Sequence, residues 1–557
     1  MRPFRLAAER GGHAIRDLTL GGMVARQAQK LGDKVYLTFL PGGRQYTYRD
    51  LDRNSNRIAN GLLSLGLASR GLPARPHISM LMENSPEFLF TLVAIAKIGG
   101  VAALVNAAAR GDQLRHMFDL FDAVAVAVEQ PLLPRLLEVL PHCPKIQCVV
   151  VVPSPENPDA AAESGDACGR RMITYAELDA FPDSAPGVEV KFSDLFMLAF
   201  TSGTTGPSKG NMHTHAKVLL DPIHNLEVWG CSDQDVFFTA LPAFHNNAQT
   251  AALFPALAAG ASVVMARRFS ASNFWKDIRA TGATVVSLLG SMTNMLWAQP
   301  PTGEDCNHKL RVVRAAPVPS FHAEFERRFG VVLTGGYGLT DFGVPTSLPP
   351  DAPPSKKLSM GRPRPGWQVR IVDDDDFDMP TGEPGELVLR TDLLWQTSLG
   401  YYKMPEATLA AFQNGWFHTG DRAYCDEDGY LYFVDRKKDA IRRRGENISA
   451  YEVEQIIQKH PGIAEAAVFA VRSDMSEDEV GVALVRKEGA QASERELIEY
   501  CRNNMAYFMV PRYLKFVDVL PRTLTQKVEK YRLKEDAEKN PGGWWDRVAA
   551  GIIITRG

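Results

Sequence analysis

The chain has 557 residues, of which 45% are hydrophobic and 23% are charged. At about 150 residues per domain this length predicts about three to four folding units, and the composition excludes disordered, collagen-like and coiled-coil proteins. Lysine and arginine number 62 against 65 for aspartate and glutamate, a net charge of −3, so no overall positive field draws the chain to nucleic acid or to an anionic membrane. We therefore expect a small-molecule substrate and no nucleic-acid partner.

The cysteines and the apolar segments indicate the compartment. Seven cysteines are scattered without a CxxC pair, which argues against a disulfide framework or a structural zinc site and favours the reducing cytoplasm. The most apolar stretch, 88–109, is interrupted by Lys97 and by a glycine pair, so it predicts a buried helix followed by a strand rather than an integral membrane segment. The C-terminal tail GGWWDRVAAGIIITRG is predicted to dock on its own domain rather than to touch a membrane.

Helix-like and strand-like patterns alternate through the first part of the chain. Apolar residues recur near helical spacing over 51–63, whereas HISMLM (77–82) and CVVVV (148–152) are typical of buried strands. This alternation predicts an α/β fold with parallel sheets. The segment 153–170, which contains three prolines, predicts a surface loop between two α/β lobes.

A second α/β run follows that loop. Its predicted strands are 196–200, 261–266, 284–289 and 331–338. After Gly361, shorter alternating strands such as WQVRIV and GELVLR predict a β-rich subdomain, and beyond Arg436 the pattern predicts a small α+β unit with a helix at 450–460 and a strand at 466–471. We place the domain boundary at 435–438, which gives a large domain of residues 1–435 and a small one of residues 436–557.

The stretch Phe200-Thr-Ser-Gly-Thr-Thr-Gly-Pro-Ser-Lys-Gly210 directly follows an apolar strand. Its glycines allow tight turns and close approach of the backbone, and its hydroxyl and N–H groups are donors suited to phosphate oxygens. It departs from a Walker A loop, in which the lysine directly follows the last glycine of the motif. The stretch therefore predicts a phosphate-binding loop of a different type.

Together with four further segments this loop resembles the adenylate-forming enzymes, the family of acyl-CoA synthetases, luciferases and peptide-synthetase adenylation domains. The further segments are LPAFHNNAQ (241–249), YGLTD (337–341), WFHTGD with DRKKD (416–421, 435–439) and PRTLTQKVEK (521–530). They span nearly the whole chain, and RRRGENISAYEVE (442–454) is most similar to the carnitine-type branch of acyl-CoA ligases. The resemblance assigns ATP to two groups of residues: Thr201, Ser202, Gly203, Thr204, Thr205, Gly206 and Lys209 at the phosphates, and Gly336, Tyr337 and Gly338 at the adenosine.

The segment GGYGLTD (335–341) also suits Mg-ATP on its own chemistry, since it offers glycines, a flat aromatic ring, a hydroxyl and a carboxylate. The resemblance implies that Tyr337 stacks on adenine, that Thr340 holds the α-phosphate and that Asp341 ligates magnesium. Asp341 is one methylene shorter than the glutamate usual in the family, so a bridging water is an alternative to direct ligation.

One acidic and one basic residue are candidates for binding the ribose. Asp421 follows a turn, where a carboxylate either accepts two ribose hydroxyls or caps its own backbone. The resemblance selects the ribose and makes Arg436 its partner at the ribose or the phosphates. On composition alone, Arg436 in DRKKD would belong to a solvated charged face.

Lys527 is the candidate catalytic cation. The family pattern has a lysine after Pro-Arg-Thr and a short glycine turn, and here Gln526 replaces the glycine. The resemblance implies that Lys527 neutralises the charge that develops when the carboxylate attacks the α-phosphate, where a positioned cation has a large effect. A solvent-exposed lysine is the alternative on composition alone.

The remaining candidates concern the acyl group and CoA. The resemblance places His245 at the wall between the acyl group and the thiol tunnel, where we assign it to substrate positioning. It brings Gly445 beside the pantetheine arm, and the arginines 442–444 are either CoA phosphate ligands or solubilising charge. The predicted walls of the acyl pocket are His245, Asn246, Gly290, Ser291 and Leu339.

These features imply an AMP-forming acyl-CoA ligase of the adenylate-forming fold, with ATP, Mg²⁺ and CoA as cofactors and co-substrates. The small domain is expected to rotate about a hinge near Lys438 between two half-reactions. Fatty, carnitine-like, aromatic and steroid or bile-type acids all remain open as substrates. The sequence leaves the oligomeric state open, with a homodimer as one candidate.

Two rival functions remain at this point. One is a different adenylating enzyme, either a loader of a separate carrier protein or an oxygenase of luciferase type. The other is a nucleotide-binding protein with weakened catalysis, for which Asp341 and Gln526 are the motivation. Pyrophosphate release with a carboxylic acid, and the acceptor used, distinguish the three.

Overall fold

The computed structural model of the chain comprises two compact units. The described residues are 9–67, 75–157, 164–201, 209–436, 441–443, 446–448, 450–472, 478–505, 507–523 and 527–554. The first unit contains the described residues up to 368 together with 389–415, and the second contains 369–388 and 416–554.

An eight-stranded sheet forms one layer of the first unit. Its strands, in spatial order, are Lys209–Thr214, Leu195–Thr201, Val101–Val105, His77–Leu81, Ala125–Glu129, Cys148–Val152, Arg171–Thr174 and Gly165–Asp166. The central strands are parallel and buried on both faces, as predicted. The strand predicted to start the second lobe, 196–200, instead pairs with Val101–Val105 in this sheet. That assignment was wrong because an apolar run shows that a strand is buried but not which strand it pairs with.

A seven-stranded sheet forms the other layer of the first unit. Its strands, in spatial order, are Val332–Thr334, Val312–Ala316, Val285–Leu289, Val236–Thr239, Ser262–Ala266, Val35–Leu40 and Arg44–Thr47. All neighbours are parallel except the last pair. Because ligands bind at the carboxyl ends of parallel strands, the loops after 239, 289, 316 and 334 are the natural place for a site.

Helices cover these sheets and begin at conventional caps. Thr47 and Asp50 form a reciprocal capping box, and Ser85 caps a helix whose first residue is Pro86. The α-helices of the first unit are Leu20–Leu31, Tyr48–Ser64, Pro86–Lys97, Gly111–Leu120, Leu133–Val139, Tyr175–Asp179, His215–Trp229, Asn246–Ala248, Phe254–Ala259, Ala271–Thr281, Gly290–Trp297, His322–Phe329 and Pro405–Ala411. A π-helical turn spans Gln249–Leu253, and 3₁₀ turns span Ile15–Asp17, Gln130–Leu132, Leu140–His142 and Pro354–Lys356. Short strands lie at Glu9–Arg10, His13–Ala14, Thr346–Ser347, Arg362–Pro363 and Phe412–Gln413.

The second unit contains two sheets and a short hairpin. One sheet has five strands, Trp367–Val372, Gly385–Thr391, Phe412–Gln413, Trp416–Cys425 and Leu431–Arg436, and most of its residues belong to this unit. The other sheet contains Ile463–Arg472, Asp478–Arg486, Tyr513–Phe516 and Trp545–Asp546. The hairpin joins Ile441–Arg443 to Glu446–Ile448. The helices are Ala450–Gln458, Glu494–Asn504 and Lys530–Lys539, with a 3₁₀ turn at Pro541–Gly543.

The C-terminal tail packs on the second unit, which confirms the docking prediction. Trp544 is buried, packs edge-on against Phe469 and donates from Nε1 to Asp536 at 3.1 Å. Trp545 and Asp546 add a short strand beside Tyr513. Throughout the described ranges, the structure has no helix that combines the length and the apolar character of a membrane span.

Contacts group the β-rich segments 369–388 and 416–436 with the C-terminal residues. The predicted boundary at 435–438 concerns which part of the chain moves, and it stays a prediction.

Candidate active site

An antiparallel hairpin flanks the predicted phosphate loop. Leu195–Thr201 pairs with Lys209–Thr214 up to the register pair Thr201 and Lys209. Ser202, Gly203, Thr204, Thr205 and Gly206 lie outside the described residues, as does the side chain of Thr201. Lys209 is described, and its Nζ lies 4.4 Å from the ring centroid of Tyr401. The two ends of the loop are thus fixed by the hairpin, and the contacts of the loop with phosphate stay predictions.

A tight turn holds Thr340 and Asp341 beyond the carboxyl end of the strand Val332–Thr334. Leu339 and Gly343 exchange two backbone hydrogen bonds, each of 2.9 Å, across this turn. Tyr337 is fixed through its backbone N–H, which donates to the hydroxyl of Thr346 at 3.0 Å. Thr340 and Asp341 are half-buried, so they remain within reach of a ligand.

Two glycines make this turn sterically possible. Gly336 has φ of +153°, and a Cβ built on it would lie 2.6 Å from the carbonyl oxygen of Thr346. Gly343 has φ of +107°, and its Cβ would lie 2.9 Å from Oδ2 of Asp221. Both positions therefore require the absence of a side chain.

We predict that Gly343→Ala lowers the free energy of unfolding by about 2 kcal/mol, because the left-handed backbone and the carboxylate of Asp221 both oppose a methyl group. Denaturant titration measures this change. The matched control is Gly303→Ala, at an open position with no atom within 4 Å of the added methyl group. Equal stability of the two variants would contradict the steric account.

A buried ion pair stabilises the turn. Lys217 and Asp221, one helical turn apart, meet at 2.6 Å with side-chain exposures of 2% and 0%. Asp221 also accepts from Nε2 of Gln396 at 2.6 Å and from the backbone N–H of Val344 at 3.4 Å. A buried charge pair is tolerated when further hydrogen bonds satisfy it, and here one of them holds the residue that follows Gly343.

Three polar residues that the sequence analysis did not single out contact the turn. Asn211 donates from Nδ2 to Oδ1 of Asp341 at 2.9 Å, and the hydroxyl of Tyr401 also hydrogen-bonds to Asp341. Nε2 of His213 lies 3.0 Å from the carbonyl oxygen of Thr340, which can only accept, so Nε2 is protonated. Burial, with a smaller contribution from Lys217, lowers the pKa of His213 to about 3, so this ring is neutral at pH 7.

These three residues position the side chains at the turn. Burial, followed by the nearby charge of Asp341, raises the pKa of Tyr401, so its hydroxyl stays protonated and donates. The sequence signal for Asn211 and His213 was their alternation on a strand directly after the phosphate loop. Tyr401 lies far along the chain and had no such signal.

His245 lies at a helix start at the same sheet edge. Its Nδ1 accepts from the backbone N–H of Asn247 at 3.3 Å, which caps the helix Asn246–Ala248. Asn247 in turn accepts at Oδ1 from Ser287 at 3.0 Å and from Arg314 at 3.4 Å. His245 is therefore connected to a polar cluster on the neighbouring strands.

The other predicted pocket residues also lie at this edge. Gly290 and Ser291 begin the helix that follows the strand Val285–Leu289, and both are half-buried. A Cβ on Gly290 would lie 3.1 Å from Cδ of Pro317, so the glycine allows close packing of two adjacent loops. Leu339 belongs to the turn described above.

In the second unit, Asp421 and Arg436 face each other. They are register partners on adjacent antiparallel strands, and Nε of Arg436 lies 3.3 Å from Oδ1 of Asp421. The preceding Gly420 has φ of +70°, and its N–H donates to Glu386 at 3.0 Å. Asp421 is mostly buried, whereas Arg436 is 38% exposed.

Lys527 lies on a hairpin of the second unit, and it is exposed. The N–H of Thr523 donates to the carbonyl oxygen of Lys527 at 2.7 Å, and the N–H of Lys527 donates to the hydroxyl of Thr523 at 3.1 Å. Gln526 lies outside the described residues. These two hydrogen bonds fix the backbone of Lys527, and its ammonium lies at the end of a long side chain.

The glycine loop predicted for CoA is described only in part. Gly445, Arg444 and the hinge residue Lys438 lie outside the described residues, as does the side chain of Arg442. Arg443 is buried, donates to the carbonyl oxygens of Phe508 and Val510 at 2.8 and 3.0 Å, and lies 2.7 Å from Glu479. Both alternatives predicted for these arginines, CoA phosphate ligand and solubilising charge, are therefore wrong for Arg443, which packs inside the unit.

A metal at this site would depend on the nucleotide for most of its ligands. Within the described ranges, no three His, Cys, Asp or Glu side chains group as a metal site. Mg²⁺ in nucleotide enzymes is held by one or two carboxylates together with phosphates and water, and Asp341 is a half-buried carboxylate of this kind. The donor set therefore fits Mg²⁺ that arrives with ATP.

Comparisons with known proteins agree with this geometry. The family model "AMP-binding enzyme" matches residues 24–402, and "AMP-binding enzyme C-terminal domain" matches residues 452–527. Crotonobetaine/carnitine–CoA ligases of Salmonella paratyphi C and Salmonella typhi are 32% identical over 535 residues, which covers 92% of this chain and 99% of each relative.

Three solved structures illustrate the same fold. ATP-bound MatB from Rhodopseudomonas palustris superposes with a TM-score of 0.82 at 25% identity, covering 93% of this chain and 99% of that one. The anthranilate CoA ligase AuaEII with anthranoyl-AMP has a TM-score of 0.82 at 23% identity, covering 94% and 98%. O-succinylbenzoate coenzyme A synthetase from Bacillus subtilis with AMP has a TM-score of 0.77 at 24% identity, covering 92% and 98%.

Proposed function

The chain belongs to the AMP-binding enzyme family, and we propose from this premise that it is an ATP-dependent acyl-CoA ligase whose two half-reactions use the residues described above. The observation that supports this assignment most directly is the turn at Leu339–Gly343. It holds a hydroxyl and a carboxylate side by side at the carboxyl edge of a parallel sheet, where a nucleotide phosphate and its cation bind.

In the first half-reaction an oxygen of the substrate carboxylate attacks the α-phosphorus of ATP. The bond from that phosphorus to the bridging oxygen breaks, so pyrophosphate leaves and an acyl-adenylate forms. We assign Thr340 to hydrogen bonding with the α-phosphate, Lys527 to neutralising the departing charge, and Asp421 with Arg436 to holding the ribose. A fixed cation favours this step because negative charge on the leaving group increases along it.

In the second half-reaction the CoA thiolate attacks the acyl carbon of the adenylate, and AMP leaves. Carboxylate is a poor electrophile, so the first step supplies a better leaving group before the thiol arrives. His245 would then position the acyl group, and the loop around Gly445 would meet the pantetheine arm after the small domain rotates near Lys438. These roles follow from the family resemblance and stay predictions for this chain.

Mg²⁺ is the cation that Asp341 would hold together with the ATP phosphates, where it supplies charge neutralisation of the phosphate oxygens. Asn211 and Tyr401 orient the carboxylate through their hydrogen bonds to it. The shorter reach of aspartate makes a water between the side chain and the ion an alternative to direct ligation.

We predict that Asp341→Asn raises the Mg²⁺ concentration for half-maximal pyrophosphate release by about tenfold, because the amide removes the negative charge that attracts the ion. Titration of the initial rate with Mg²⁺ at saturating ATP measures this change. The matched control is Asp351→Asn, an exposed aspartate in the loop that follows the turn. An unchanged titration curve for Asp341→Asn would exclude this residue as a magnesium ligand.

Pyrophosphate release across a panel of carboxylic acids, with and without CoA, tests the proposed function. The panel contains fatty, carnitine-like, aromatic and bile-type acids, and mass spectrometry identifies the products. Accumulation of an acyl-CoA with AMP is the expected result. Release with a carrier protein but not with CoA would favour a carrier loader, an oxygen-dependent product would favour a luciferase-type oxygenase, and no release with any acid would favour a nucleotide-binding protein.

We also propose the cytoplasm as the compartment. All seven cysteines are free thiols in the structure, which suits a reducing environment. The homodimer stays a prediction, which light scattering of the purified chain tests.

A further inference from the structure

An arginine lies inside the polar cluster at the carboxyl edge of the seven-stranded sheet. Arg314 belongs to the otherwise apolar strand Val312–Ala316, two residues before its end. The parallel register aligns it with Ser287 on one side and Thr334 on the other, so these three side chains leave the same face of the sheet. That face holds the cluster formed with Asn247, two residues after His245.

The guanidinium of Arg314 has only neutral partners. Nη1 donates to the hydroxyl of Ser287 at 3.3 Å and to Oδ1 of Asn247 at 3.4 Å, both long for a charged donor. Over the described residues, neither a carboxylate nor any other acceptor meets its Nε and Nη2. Three N–H groups on these two nitrogens therefore remain for another ligand.

A charge in this position is costly without a counter-ion. Desolvation lowers the pKa of Arg314, which is half-buried, to about 10, so the guanidinium stays protonated at pH 7. The buried cations Lys217 and Arg267 have their own carboxylates, Asp221 and Glu129, whereas the buried Arg364 donates only to neutral oxygens, of Val344 and Asn225. Arg314 also has no carboxylate among the residues described, but it is half-buried and uses Nη1 alone, whereas Arg364 uses both Nη1 and Nη2 within the fold. This is the pattern of a cation kept for a ligand.

We propose that Arg314 recognises a second carboxylate of the acid substrate, so that the enzyme activates one carboxyl group of a dicarboxylic acid and binds the other at Nε and Nη2. This inference rests on the proposed function and specifies its substrate class. The planar fork of arginine matches a carboxylate with two parallel hydrogen bonds, and Ser287 supplies a neighbouring hydroxyl.

The same geometry excludes other acids as good substrates. A quaternary ammonium group at the distal end of the acid would be repelled by the guanidinium. A wholly apolar chain would bury the cation further and leave its three N–H groups unsatisfied, which costs binding energy. Selectivity therefore follows from rejection of these acids as well as from attraction of the diacid.

Paired acids of equal chain length test the proposal. Butanoic, pentanoic and hexanoic acids are compared with butanedioic, pentanedioic and hexanedioic acids through kcat and KM of pyrophosphate release. We expect the diacid of at least one pair to have the higher kcat/KM. Arg314→Met should lower kcat/KM for that diacid by about 10- to 100-fold, chiefly by raising KM. The kcat/KM for the monoacid of the same length should stay the same or rise.

Two further variants separate recognition from folding. Arg314→Lys keeps the charge but loses the fork, so it should restore part of the diacid preference. The matched control is Arg327→Met, because Arg327 is exposed on the helix His322–Phe329, and both acid series should be unchanged in this variant. Thermal melting of each variant shows whether it is folded.

The outcomes distinguish the inference from the proposed function. Equal loss with both series in folded Arg314→Met would overturn the inference, since the guanidinium would then meet the carboxyl group common to both. Turnover of monoacids to acyl-CoA without any diacid preference would also overturn it, while the ligase function would stand. No pyrophosphate release with any acid, together with unchanged melting temperature in the presence of ATP, would instead count against the proposed function.

Discussion

Lys527→Ala is expected to reduce pyrophosphate release by about 10³-fold, since it removes the cation that we assign to the charge on the departing pyrophosphate. Thioester formation from supplied acyl-adenylate and CoA should change by less than about threefold, because in that step AMP leaves and pyrophosphate is already gone. Stopped assays of the two half-reactions measure both rates. The two rates together test whether Lys527 acts in adenylate formation alone.

The structure offers a matched control for this variant. Lys534 lies on the helix Lys530–Lys539, and among the residues that the structure describes it makes only a long ion pair of 4.0 Å with Glu538. Lys534→Ala should therefore retain both half-reactions. Equal loss of the two half-reactions in Lys527→Ala would contradict the division of labour, because it would place the lysine in a role common to both.

Asp421→Ala is expected to lower kcat/KM for ATP by about 10²-fold, since hydrogen bonds to a charged acceptor contribute about 1.5–3 kcal/mol each and the carboxylate is assigned two ribose hydroxyls. The structure places Asp421 opposite Arg436, so the substitution also removes this ion-pair partner of the guanidinium. Steady-state kinetics with ATP as the varied substrate measure the effect, mainly in KM.

Deoxy analogues of ATP make this prediction specific to the ribose. The unaltered chain should bind 2′-deoxy-ATP or 3′-deoxy-ATP more weakly than ATP. Asp421→Ala should bind ATP and the deoxy analogue about equally, because the hydrogen bond to the missing hydroxyl is already lost in the variant. A double-mutant cycle detects this non-additivity. The control is Asp518→Ala at an exposed position. Additive losses from the variant and the analogue would mean that Asp421 does not contact the ribose.

The sequence predicted the elements better than their arrangement. Strands such as Cys148–Val152 were predictable, because a short run of β-branched residues is typical of a strand that is buried on both faces of a sheet. The strand Leu195–Thr201 was equally clear as a strand, yet it joins the first sheet. Pairing depends on contacts between residues far apart in the chain, which local patterns do not specify.

The site residues divide in the same way, into those that neighbouring residues predict and those that only the fold brings together. The turn with Thr340 and Asp341 was predictable because its glycines and polar residues are adjacent in the sequence. Tyr401 was not, since it meets Asp341 only through the fold. Arg443 was interpreted as solubilising or phosphate-binding charge, but it is buried against Glu479. Arg314 does have a signal in the sequence, since it is a single charge inside an apolar strand.

Transfer of oxygen-18 from a doubly labelled carboxylic acid tests the central claim, activation through an acyl-adenylate, most directly. Attack of a carboxylate oxygen on the α-phosphorus leaves one labelled oxygen on AMP after the thiol has reacted, and the other stays in the thioester. We predict that mass spectrometry finds one labelled oxygen in AMP for each acyl-CoA formed. Unlabelled AMP, or label in inorganic phosphate, would contradict the account.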